Sequence, residues 1–323
     1  MRRLQYHAVL SVTASALLLS SSQSRAQDQQ EQPLKLSTQL VVADVQVLNK
    51  KTGVPVRGLT ERDFLVYEDG VKQPLTHFSQ DSLPLSIVLL LDVSGSVVPV
   101  ITPVRDSGLR ALKELKPGDE VAVMAFGVWT SVLQEFTKDR QLVAERVGAI
   151  ERMGPWIREG TYIDEAIYES AKHFAKASIP DSRRIIIIIT DNFSTQPPSL
   201  GHSEAESMQQ LHAASASVCG LVVGDFNAAV KEHKKKNVLI KDSIGGYINE
   251  TGGILSQVDK DDVTVKLARL IERLRSRYSL GYTPINEKRD GKFRNIKVKL
   301  LPNAERREGE MTIIARKGYY APR

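Results

Sequence analysis

The chain has 323 residues, 41% of them hydrophobic and 25% charged, with one cysteine and a formal net charge of +6. A hydrophobic share of this size, with no collagen-like period and no long low-complexity tract, excludes a fibrous or mainly disordered chain and predicts a packed core. At about 150 residues per domain, the length points to two domains.

In chain order, Arg2 and Arg3 precede an apolar run over residues 8–19, and Ser24-Arg25-Ala26 offers a small-x-Ala cleavage site. This layout predicts a secretory signal peptide over residues 1–26, followed by a disordered linker over 27–35. An uncleaved anchor is the alternative, but the apolar run is about a dozen residues and a spanning helix needs roughly 20. No cysteine directly follows the cleavage site, which argues against a lipid anchor. Removing Arg2, Arg3 and Arg25, with no acidic residue among the first 26, lowers the charge from +6 to +3. The expected product is exported, periplasmic or secreted, and not an integral membrane protein after cleavage.

Residues 36–82 read as β structure, with strands over 40–47 and 64–67 and turns at Lys51-Thr52-Gly53 and Glu68-Asp69-Gly70. The pattern changes at Leu83. Nearly pure apolar runs over 86–91, 121–126, 185–189 and 218–223 predict strands buried on both faces. Helix-length amphipathic stretches over 98–115, 139–152, 161–176 and 203–216 lie between them. Strands alternating with helices predict an α/β block over 83–275 with a doubly wound, mostly parallel sheet. A short edge strand over 252–255 and a helix over 261–277 close it. Strand character returns over 278–282, 293–300 and 311–315. Each β flank is too small to bury much apolar surface alone, so the two predict one small β-sandwich built from the N- and C-terminal flanks, parts 36–82 and 276–323, with the α/β block inserted. Two separate mini-domains are the less economical arrangement. Cys219 lies in an apolar run, has no partner for an intrachain disulfide, and reads as a buried core residue.

Ligands of an open α/β sheet bind beyond the carboxyl ends of its strands. There, Asp92-Val93-Ser94-Gly95-Ser96 follows the first buried strand, Glu159-Gly160-Thr161 opens a helix, and Thr190-Asp191-Asn192 follows the third strand. Asp92, Ser94, Ser96, Thr161 and Asp191 thus offer five oxygen-bearing side chains from three loops. Hard oxygen donors with few carboxylates suit magnesium or manganese, whereas zinc favours histidine or thiolate. Taken singly, Ser94, Ser96 and Thr161 are also good helix N-caps, and Asp92 and Asp191 are also candidates for caps or surface ion pairs.

This D-x-S-x-S spacing, with Thr161 and Asp191 in order, resembles the metal-ion-dependent adhesion site of von Willebrand factor type A (VWA) domains. The flanks, with Gly58-Leu59-Thr60, Asp63-Phe64, Tyr67-Glu68-Asp69-Gly70 and Arg316-Lys317-Gly318-Tyr319-Tyr320, are similar to exported bacterial proteins called VWFA-related. The resemblance implies that Asp92, Ser94 and Ser96 hold a divalent cation, Mg2+ before Mn2+ or Ca2+. Thr161 and Asp191 then bind directly or through water, and a partner protein's Asp or Glu completes the shell. Asn192 departs from the glycine common at that position, although asparagine tolerates left-handed backbone. Trp129, Trp156 and Phe193 are candidate rim contacts, since aromatic anchors serve protein interfaces.

The expectation is a metal-dependent protein-binding module and not an enzyme. Ser94, Asp191 and His202 follow the chain order of a hydrolase triad, but no G-x-S-x-G elbow surrounds Ser94, and His202 reads as a surface residue. Neither nucleotide-binding glycine motif occurs. The basic run over 231–236 reads as a solvated face, and no nucleic-acid partner is expected. The alternative function is an envelope scaffold in which the metal only ties loops together.

Overall fold

The computed structural model describes residues 40–80, 83–94, 97–101, 111–152, 160–224 and 243–323. The expected signal peptide and linker, Ser96, Trp156 and the basic run lie outside the described residues.

The α/β block is built on a six-stranded sheet of order β10-β9-β8-β5-β6-β7. Its strands are β5 (Leu85–Asp92), β6 (Glu120–Phe126), β7 (Thr130–Thr137), β8 (Arg183–Thr190), β9 (Ala216–Val223) and β10 (Leu255–Val258). All neighbours are parallel except β6 and β7. Every residue of β5 is buried, as expected for a strand covered on both faces. Side chains alternate across the sheet. Ile87, Leu89 and Leu91 accordingly face one apolar cluster with α1 (Arg140–Gly148) and α5 (Val263–Arg275). Val88 and Leu90 face a second cluster with α2 (Ile163–His173), α3 (Glu204–Ala214) and α4 (Gly245–Thr251).

The doubly wound sheet is therefore the observed architecture, with β7 added as an antiparallel edge. Its half-exposed sequence has no continuous apolar run, which is why periodicity did not predict it. The last strand is displaced from the expected 252–255 to Leu255–Val258. Gly252 takes a left-handed φ of 70° to end α4, and its chain neighbour Gly253 passes so close to β9 that a Cβ there would stand 1.6 Å from the Val218 carbonyl.

The flanking strands form two antiparallel four-stranded sheets. One has the order β13-β1-β11-β4, from β1 (Val41–Asn49), β4 (Leu75–Gln80), β11 (Tyr278–Tyr282) and β13 (Met311–Ala315). The other is β14-β12-β2-β3, from β2 (Phe64–Glu68), β3 (Val71–Gln73), β12 (Phe293–Leu300) and β14 (Gly318–Tyr320). Each sheet mixes strands from before and after the α/β block, and their inward side chains share one apolar cluster. The similar-looking flank motifs do structural work here. Glu68 accepts hydrogen bonds from the hydroxyls of Tyr282 and Tyr319, both at 2.9 Å, while Asp63 pairs with Arg307 at 3.2 Å. Buried Arg183, at the start of β8, joins the two regions. It donates to Asp44 on β1 (2.9 Å), Ser279 on β11 (2.9 Å) and the carbonyl of Leu274 on α5 (2.7 Å). Cys219 is fully buried, and that burial pushes its thiol pKa up. Among the described residues no helix is long and apolar enough to cross a membrane.

Candidate functional site

Because β5 and β8 run parallel and adjacent, both deliver their final residues to the same edge of the sheet. Asp92 ends β5 and is fully buried; Asp191 follows Thr190, the last residue of β8, and is half-buried. The Thr190 hydroxyl donates to Asp92 Oδ2 at 2.7 Å, and the Ser94 amide donates to Asp92 Oδ1 at 2.9 Å. Burial pushes the Asp92 carboxyl up to about 6, opposed by these two hydrogen bonds and reinforced by the negative charge of Asp191. Ser94 is half-buried, and its carbonyl accepts from the amides of Val97 and Val98, both at 3.1 Å, where a helix begins.

Thr161 is buried in the loop before α2. The N-cap of that helix is Tyr162, so Thr161 stands one position outside the capping role that its residue type also suits. Its loop is locked to the segment after Asp191. The Thr161 amide donates to Thr195 Oγ1 at 2.8 Å, while the Thr161 carbonyl accepts from the Thr195 amide (2.8 Å) and the Ser194 hydroxyl (3.1 Å). Gly160 permits this approach, because a Cβ there would lie 2.9 Å from Thr195 Oγ1.

Asn192 takes the left-handed backbone expected of it, with φ 67°. Its buried Oδ1 accepts from the amides of Ser243 and Ile244, both at 3.0 Å, a role glycine could not fill. At the other side, the Tyr162 amide donates to the Gly127 carbonyl at 2.9 Å and ties the β6–β7 turn to the Thr161 loop. Trp129 in that turn is 66% exposed, and Phe193 is half-buried.

The structure thus brings Asp92, Ser94, Thr161 and Asp191 to one edge of the sheet; Ser96 lies outside the described residues. Two carboxylates, one of them fully buried with its pKa raised mainly by that burial, together with hydroxyl oxygens, form a donor set that fits a hard divalent cation. Sequence reading missed Thr190, Thr195 and Gln196, which hold this edge together. A hydroxyl directly before a strand-end aspartate was the available signal for Thr190. His202 lies at the surface as expected, with 34% of its side chain exposed, but it is engaged there. It is half-buried, stacked on Tyr168 with centroids 3.4 Å apart, and its Nδ1 bonds Glu165 at 2.8 Å.

A sequence model of the von Willebrand factor type A domain matches residues 87–194. Among solved structures, a von Willebrand factor type A protein from Catenulispora acidiphila shares 11% identity at a TM-score of 0.48, covering 88% of this chain and 74% of its own. The conserved hypothetical protein BatB from Bacteroides thetaiotaomicron shares 19% identity at a TM-score of 0.41, covering 59% of this chain and 98% of its own. The vWF domain of the type V pili tip protein Mfa5 from Porphyromonas gingivalis shares 11% at a TM-score of 0.41, over 59% and 94%. No curated protein matches the chain. The sheet order and the strand-end residues agree with the family match, which gives residues 87–194 the von Willebrand factor type A fold.

Proposed function

We propose that this protein is an exported, periplasmic or secreted protein-binding module of adhesion type, which uses Mg2+ to capture a carboxylate of a partner protein. Asp92, Ser94, Ser96, Thr161 and Asp191 would hold the ion. Bound there, the ion supplies a positive coordination centre that a partner's Asp or Glu reaches by replacing water. The single observation that carries this reading is the convergence of buried Asp92 with Asp191 and Thr161 on loops hydrogen-bonded to one another.

The chain's own residues set the task. Thr190 and the Ser94 amide orient the Asp92 carboxylate, and Ser194 and Thr195 keep Thr161 and the Asp191 segment in register. With few anionic donors, a divalent ion keeps positive character, which favours an acidic ligand. Exposed Trp129, on a turn bonded to the Thr161 loop, adds an apolar contact at the rim. The reading is of recognition and not catalysis, and it fits the commitment of the His202 ring to Glu165 and Tyr168.

Calorimetric titration of Mg2+ and Mn2+ into the chelator-treated protein tests it. Binding heat is expected for the wild type and none for a folded Asp92→Ala variant. A folded wild type that takes up neither ion, or an Asp92→Ala variant that binds as well, would sink the proposal. Retained partner capture by a metal-free protein would leave the ion only a loop-tying role.

A further inference from the structure

The geometry points to a second cation site, distinct from the strand-end residues, in which Glu165, Glu169 and His202 take a borderline transition-metal ion such as Zn2+. Glu165 and Glu169 are four residues apart on α2, so they share one helix face. His202 reaches them from the loop that enters α3. One carboxylate oxygen from each glutamate and one ring nitrogen of His202 lie within 4.8 Å of one another. Zinc binds such atoms at about 2 Å, which sets ligand atoms roughly 3–4 Å apart, so modest side-chain rotation closes the set.

The surroundings hold these groups in place. Glu165 Oε2 accepts from both the His202 amide (2.7 Å) and His202 Nδ1 (2.8 Å), and Gln196 Nε2 holds the His202 carbonyl at 2.8 Å. Tyr168 lies flat on the imidazole with an interplanar angle of 7°. Gly201 has φ +70°, and a Cβ there would stand 2.7 Å from Glu165 Oε2, so any larger residue would push the carboxylate away. The competing partner of Glu169 is the exposed Lys172, at 3.0 Å, a solvated pair worth little.

The ligand chemistry separates this site from the first. An imidazole with two carboxylates suits zinc, with water in the fourth position, and poorly suits magnesium, which prefers oxygen. Its placement also gives it a role. The loop from Asp191 to His202 is pinned to Thr161 through Thr195 and to Glu165 of α2 through Gln196 and His202, so an ion here would clamp the segment carrying Asp191 onto the helix that follows Thr161.

The test is Zn2+ binding to the full chain carrying Asp92→Ala, the variant expected to lose ion binding at the strand-end site, so that the two sites are judged separately. Adding His202→Ala or Glu169→Gln is expected to weaken Zn2+ at least about tenfold, the lower end of what a supporting partner of a metal site is worth. Co2+ used in place of Zn2+ should give visible ligand-field bands that His202→Ala abolishes. Glu169 makes only a surface ion pair, so Glu169→Gln keeps the test open if His202→Ala fails to fold. Zn2+ affinity unchanged in either folded variant, or no Zn2+ binding by the folded Asp92→Ala chain, overturns the inference.

Discussion

Asn192 shows how much one side chain near the strand edge can carry. Its left-handed φ of 67° costs any residue with a Cβ about 1–2 kcal/mol, which a local hydrogen bond helps offset in asparagine. Its Oδ1 also accepts two buried amides, and leaving such donors unpaired costs about 1–3 kcal/mol each. We expect Asn192→Ala to lose about 3–5 kcal/mol in urea denaturation. Asn192→Gly should recover about 1 kcal/mol of that by relieving the backbone while the amides stay unpaired. An alanine variant within about 1 kcal/mol of wild type would mean that the amides find other partners. The left-handed tolerance of this residue was legible in the sequence. Its two acceptor bonds were not, because Ser243 and Ile244 are 51 and 52 residues away.

At the level of elements, the contact of α3 with the β-strands is where the two kinds of architecture meet. Buried His212 on α3 lies edge-on to Phe293 of β12 and Tyr320 of β14, at centroid distances of 5.2 and 5.6 Å. Its pKa falls from 6.5 to about 4, through burial first and then the Arg316 charge, while Glu250 and a hydrogen bond involving the Gly318 backbone act the other way. The unfolded chain therefore binds this proton more readily than the folded one. The associated stability is fully present above pH 6.5 and is lost as pH falls through the window toward 4. We expect a loss of roughly 2–3 kcal/mol across that window, from about 1.4 kcal/mol per pKa unit. The neutral variant His212→Gln should remove that slope. Denaturant melts at several pH values check it, and parallel slopes for the two proteins would refute the assignment.

For the whole molecule, the described residues, from Leu40 onward, belong to one compact unit. Strands from both flanks share sheets and an apolar cluster, and Arg183 bonds β8 to β1, β11 and α5. Such coupling predicts a single cooperative transition by calorimetry for residues 40–323. Removing residues 40–82 should abolish it, because β11 then loses both of its partners, β1 and β4, and β12 loses β2. Two resolved transitions in the intact protein would show that the α/β block and the β-sandwich unfold independently.

The sequence by itself determined the class of fold, because strands buried on both faces must be apolar over most of their length, and β5, β6, β8 and β9 are, with polar residues mainly near their ends. It also placed Asp92 and Asp191 at strand ends, since a polar residue that closes such a run can only emerge at the edge. Tertiary structure decided the rest. The edge strand β7 and the short strands β3 and β4 draw their stability from neighbours and not from their own pattern. The hydrogen-bonded frame of Thr190, Thr195, Gln196 and Glu165 exists only because parallel β5 and β8 bring distant loops together. His202, unremarkable in a polar loop, meets Glu165 and Glu169 for the same reason: a side chain's partners are set by the path of the chain, which local composition does not encode.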